Sequence, residues 1–168
     1  MRSAWYALRS KPRKEDVLYQ HMLSRGFETF YPRIPVKTVN PRARQVAPYF
    51  PGYMFVYADL GAVGRSTFQW MPHALGLVSF DDAPAPVPAV LIEQIEARVA
   101  AIAAAGGELF MNLKPGDPVR IKGGAFAGYE AIFDARLSSS GRVRVLLELL
   151  SDRHVPVELS EAQLMRVG

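Results

Sequence analysis

The chain has 168 residues, 49% of them hydrophobic and 21% charged, which is ordinary globular usage and enough for one medium domain or two small ones. Cysteine is absent, which excludes disulfides, a thiolate metal site and a cysteine nucleophile and fits a reducing compartment. No apolar run approaches the ~18 residues of a membrane span, and the start lacks a signal-type core, so the expectation is a soluble, cytoplasmic protein. The net charge of +4 is unevenly spread: residues 1–44 hold ten Lys or Arg against three acidic residues, and the remaining 124 hold ten against thirteen. A one-sided basic surface raises local phosphate concentration and supplies salt-sensitive affinity for nucleic acid; a solvated basic face is the plain alternative.

In chain order, Ala4-Trp5-Tyr6-Ala7-Leu8 suits a first strand. Lys11-Pro12-Arg13-Lys14-Glu15-Asp16 opens a helix, since Pro12 is tolerated in a first turn and Glu15 and Asp16 suit the positive end of the dipole. Val17, Leu18, His21, Met22 and Leu23 continue it, and Gly26 closes it. Phe27 to Val39, with Phe30, Ile34 and Val36 set among prolines, predicts an edge or irregular strand, and Asn40-Pro41-Arg42-Ala43-Arg44 a basic hairpin tip.

The return strand is the stretch the rest is organised around, Pro48-Tyr49-Phe50-Pro51-Gly52-Tyr53-Met54-Phe55-Val56-Tyr57. Pro51 and Gly52 make a kink that feeds a strand. Beyond it Tyr53, Phe55 and Tyr57 fall on one face, with Met54 and Val56 on the other. One face can go to the core. The second needs a helix or a partner, or the strand is central and buried on both sides.

Gly61 to Gly76 reads as a second helix interrupted near Pro72, with Val63, Phe68, Trp70 and Met71 as apolar members. Leu77 to Phe80 is a fourth strand ending at Asp81-Asp82, and Ala83-Pro84-Ala85-Pro86-Val87-Pro88 an extended spacer. Leu91, Ile95, Val99 and Ile102 mark an amphipathic helix over 89–105. The order is strand, helix, strand, strand, helix, strand: an α+β fold with a four-stranded antiparallel sheet and flanking helices, ferredoxin-like, to which the third helix is an addition. Gly106-Gly107 opens a linker over 106–114.

From Gly116 the period changes. Val119-Arg120-Ile121 and Arg142-Val143-Arg144-Val145 alternate, Gly123-Gly124, Gly128 and Ser138 to Gly141 are turns, and Tyr129 to Ala135 and His154 to Leu159 are strands. About five short strands predict a small β-barrel over 115–168. Val145 to Leu150 suits a helix equally by composition, but Pro156 argues against a long one.

Catalysis is not expected. His21, His73 and His154 lie in separate elements without metal-ligand spacing, the Gly123-Gly124 turn lacks the Gly-Lys-Ser/Thr ending of a phosphate loop, and Asp81-Asp82 is a solvated turn. No enzyme, cofactor or metal site is predicted.

Taken together, Trp5-Tyr6, the Phe50-Pro51-Gly52-Tyr53-Met54-Phe55-Val56 run, Gly116-Asp117-Pro118-Val119-Arg120-Ile121 with Gly124-Ala125-Phe126-Ala127-Gly128 (a KOW-type motif) and Pro156-Val157-Glu158-Leu159 resemble the NusG family of transcription elongation factors. The pattern at 124–133 and the Leu-rich 145–150 are similar to the specialised RfaH-like paralogues. The resemblance implies an N-terminal domain over 1–105 that binds the clamp of RNA polymerase through Tyr6, Phe50, Pro51, Tyr53, Phe55, Ile92 and Ile95. It implies a second polymerase contact at Gly64-Arg65-Ser66-Thr67, and contact with upstream or non-template DNA through Lys11, Arg13, Lys14 and His21. Closing the clamp around DNA would suppress pausing or termination by shifting a conformational population.

The C-terminal KOW domain would recruit ribosomal protein NusE or Rho, although Ser151-Asp152-Arg153 replaces the usual Phe-Gly-Arg run. RfaH hides its clamp-binding surface under a C-terminal helical hairpin that refolds to a barrel; here Pro156, which would break the second helix of such a hairpin, predicts that the barrel is kept, with a fold-switching C-terminal domain as the alternative. A monomer is expected. The rival reading is a ribosome-associated or other nucleic-acid-binding KOW protein outside transcription.

Overall fold

The structure, a computed structural model, describes residues 3–36, 46–104 and 139–151. The chain begins with β1 (Ala4–Ser10) and α1 (Glu15–Ser24), then β2 (Glu28–Phe30). A hairpin follows, β3 (Arg33–Pro35) against β4 (Val46–Pro48), whose basic tip lies outside the described residues. Next come β5 (Tyr53–Ala58), two short helices α2 (Leu60–Val63) and α3 (Ser66–Gln69), and β6 (Ala74–Leu77).

The main sheet runs β2-β5-β1-β6, with β1 antiparallel to both neighbours. This is the ferredoxin-like order expected from the alternation of elements. Residues 83–88 depart from the extended spacer predicted for them. β7 (Ser79–Phe80) and β8 (Ala83–Pro84) form a tight hairpin, and β9 (Pro86–Val87) pairs with Trp5 and Tyr6 of β1. Both turn residues have positive φ, Asp81 at 51° and Asp82 at 63°. That is the two-residue hairpin whose twist matches the strands, and Asp is among the few residues with a Cβ that tolerate it.

Alternation along β1 and β5 divides the apolar residues between the sheet's two faces. Leu8, Met54 and Val56 meet Leu18 and Met22 of α1 and Phe68 of α3, all buried. Ala7 and Phe55 face the other way, toward α4 (Ala89–Ala104), which contributes Leu91, Ile92, Ile95 and Ile102. The kink before β5 is pinned twice: the Gly52 N–H donates to Glu15 Oε2 at 3.0 Å and the Ser10 N–H to the Gly52 carbonyl at 2.8 Å. Gly52 takes φ +84°, which a residue with a Cβ would resist.

The largest departure from expectation is α5 (Ser139–Leu150). The turn predicted at 138–141 and the strand predicted at 142–145 are, from Ser139 on, one continuous helix. Arg142, Val145, Leu146 and Leu150 are its buried residues, at spacings of three, one and four that form a single helical stripe. The same stretch also alternates in period two, so the local pattern is compatible with either state. Burial of that stripe against the face of β1, β5 and α4 decides for helix. The rest of the predicted barrel and its KOW motif, the linker and Pro156 lie outside the described residues.

Candidate functional site

Four of the seven residues expected at the polymerase clamp, Phe50, Phe55, Ile92 and Ile95, belong to one cluster and are fully or nearly fully buried. Phe50 and Phe55 meet edge to face at 5.9 Å, and Phe30 stacks on Phe55 at 6.0 Å. Tyr53 packs partly buried against the same cluster, and Pro51 is exposed at its rim. Tyr6 does not join them. It pairs with Val56 across the sheet and packs with the α1 and α3 side, while its neighbour Trp5 sits on the Phe55 side.

What buries these rings is α5. Val145, Leu146 and Leu150 complete the cluster around Phe50, Phe55, Ile92 and Ile95, with Val143, Leu147 and Leu149 partly buried beside them. Arg142 anchors the helix although only 3% of it is exposed. Its Nε–H donates to the Tyr49 carbonyl at 3.0 Å, across 93 residues of sequence, and its guanidinium lies 4.3 Å from the centre of the Tyr49 ring. A planar cation that both stacks and donates retains partners when taken out of water. Neither Arg142 nor Tyr49 was among the expected site residues; the signal available was the helical spacing of 142, 145, 146 and 150.

The three cations expected to meet nucleic acid form one exposed turn, Lys11 to Lys14, at the start of α1. Of the two acids that follow, Glu15 is buried on the Gly52 N–H, while Asp16 is exposed and its carboxylate accepts from the Tyr31 hydroxyl at 2.9 Å. Three cations and one carboxylate are therefore exposed at this end of α1. His21, seven residues past Lys14, falls on the same side of the helix, about 10 Å further along its axis.

Arg65 and Ser66 are exposed at the start of α3, and Thr67 donates to the Val63 carbonyl at 2.9 Å. Arg65 is held to the β7–β8 turn by Asp82, whose carboxylate lies 3.0 Å away. Beside this pair is an open cleft of about 190 Å³, lined in part by Gln69, Ser79 and Asp82. With half of Arg65 and most of Asp82 in water, the pair contributes little to stability and leaves both groups available to a partner. Among the described residues no group of three or more His, Cys, Asp or Glu side chains could hold a metal ion. No helix there is long and apolar enough to cross a membrane.

Fold and surface together define an α+β domain with a basic turn on one side and an apolar face, covered by a helix distant in sequence, on the other. Residues 3–96 match the family profile described as transcription termination factor NusG, and the chain belongs to the NusG family. It is 24% identical to the transcription termination/antitermination protein NusG of Deinococcus radiodurans over 189 aligned positions, covering 96% of this chain and 98% of that one. A solved structure titled "Domain interaction in Thermotoga maritima NusG" aligns with 76% of this chain and 70% of its own at 19% identity, with a TM-score of 0.39. The chain is thus a transcription termination/antitermination factor of that family, without enzymatic activity, and family membership favours transcription over the ribosome-associated alternative.

Proposed function

We propose that this protein is a specialised, RfaH-like member of the family that docks on the RNA polymerase clamp and suppresses pausing or termination, and that α5 is a cover displaced when it docks. One observation carries the reading: Phe50, Phe55, Ile92 and Ile95 are buried beneath Val145, Leu146, Leu150 and Arg142, which belong to the far end of the chain. Clusters of aromatic and branched side chains on one sheet face are typical anchors for a protein partner. A polymerase and α5 cannot occupy that face together, so docking must compete with helix packing. Arg65, Ser66 and Thr67 are the candidates for a second polymerase contact, and Lys11, Arg13, Lys14 and His21 for non-template or upstream DNA. Recruitment of NusE or Rho by residues 115–168 rests on the sequence resemblance.

The test is transcription by purified polymerase across a pause site. Leu146→Asp places a carboxylate in the apolar contact and should free the face, shortening pauses at lower protein concentration than wild type. Tyr53→Ala in the freed protein should raise the concentration needed about 30-fold, the equivalent of the ~2 kcal/mol that an aromatic anchor commonly carries. Equal pause lifetimes with and without Tyr53 would sink the proposal.

A further inference from the structure

Trp70 is the outlier of the described surface: 79% of it is exposed, whereas the other exposed large hydrophobic residues lie between 40% and 51%. It follows α3, where Phe68 and Met71 turn into the core and Gln69 and Trp70 turn out. Among the described residues its ring stacks on no other ring or cation, unlike Trp5, which pairs with Tyr57 at 5.3 Å.

Its setting supplies the second half of the argument. The turn after Trp70 is stitched to the basic turn before α1: the Lys11 N–H donates to the His73 carbonyl at 2.9 Å, and Ser10 pairs with Ala74. Arg13 and His73 both hold positive φ, 63° and 73°. Residues with a Cβ keep that conformation only where surrounding structure fixes it. The exposed indole thus precedes a turn that is hydrogen-bonded to the start of a run of three exposed cations, of whose two following acids Glu15 is buried on the Gly52 N–H and Asp16 is bonded to the Tyr31 hydroxyl. Positive charge that follows a phosphate backbone, with an aromatic face set into it, is how unpaired strands are held, because a base can stack only when it is out of a duplex.

We infer that Trp70 is a stacking platform for an unpaired base of single-stranded DNA whose phosphates lie along Lys11, Arg13 and Lys14. This rests on the nucleic-acid contact of the functional reading and adds the group that distinguishes single from double strands. The site is on the α1 and α3 side of the sheet, opposite α5, so α5 does not cover it.

The experiment uses full-length protein and a fluorescent oligodeoxythymidylate of about 12 nucleotides, with a duplex and an oligouridylate of equal length as further arms. Wild type should prefer the single DNA strand. Trp70→Ala should weaken that binding about tenfold or more and leave duplex binding unchanged, while Trp70→Tyr should recover most of the loss. Lys14→Ala should weaken single strand and duplex alike and reduce the salt dependence. Single-strand affinity unchanged in Trp70→Ala, a preference for the RNA, or no preference in wild type overturns the inference. So does a Trp70→Ala protein that keeps its DNA binding but no longer captures polymerase, since the ring would then belong to a protein contact. A silent Trp70 with an effective Lys14 would leave the broader nucleic-acid reading standing; if both are silent, that reading fails as well.

Discussion

The two faces of the central sheet are packed with similar residues but by very different parts of the chain. Leu8, Met54 and Val56 are covered by α1 and α3, which are joined to the sheet by short connections. Ala7 and Phe55 are covered by α4 and then by α5, and only the second of these comes from beyond residue 138. Bringing together parts of the chain as far apart in sequence as Ala104 and Ser139 costs more entropy than a short connection does, so equal burial yields a weaker attachment for α5. One face is closed by helices that are near neighbours of its strands in sequence. The other is closed in part by a helix from beyond residue 138, the part that the proposed docking would displace.

The first way to break that comparison is to remove a large side chain from each face. Phe68→Ala on the α1 and α3 side should cost about 3–5 kcal/mol, because it leaves a cavity in a core that cannot open without unfolding the domain. A chemical melt followed by tryptophan fluorescence should show the whole transition shifting. Leu146→Ala on α5 removes comparable burial but should act locally, lowering the free energy of opening α5 by about 2–3 kcal/mol. Amide exchange should then accelerate within Ser139–Leu150 while β1 and β5 keep their protection. Equal acceleration in both would mean that the faces unfold together and that α5 is no separable cover.

How far each face could be read from sequence follows from the same difference. The alternation of Tyr53, Met54, Phe55 and Val56, the stop at Gly26 and the apolar spacing of Leu91, Ile95 and Ile102 are local patterns, and the structure follows them. The need for a cover over Phe55 was legible; its identity was not. Arg142-Val143-Arg144-Val145 satisfies period two, and Arg142, Val145, Leu146 and Leu150 satisfy the helical period, so only a contact 93 residues away separates them. Tyr6 lies apart from the other clamp-side candidates for a simpler reason: strand parity sends it to the face opposite Ala7 and Phe55. Trp70, counted as an apolar helix member, proved to be outside the core because the helix ends at Gln69.

The smallest expected effect sharpens the comparison most. Arg142 stabilises α5 by geometry as well as by charge: one N–H reaches the Tyr49 carbonyl and the guanidinium plane covers the Tyr49 ring. Lysine keeps the charge but not the fixed donor or the flat face. Arg142→Lys should therefore free α5 by about 1 kcal/mol, the net worth of a hydrogen bond with part of a cation–π contact, without unfolding the sheet. The readout is again amide exchange confined to α5, together with a modest gain in polymerase capture. If charge alone held the helix, the lysine variant would exchange like wild type, and the cover would then depend on Val145, Leu146 and Leu150 without a directional anchor.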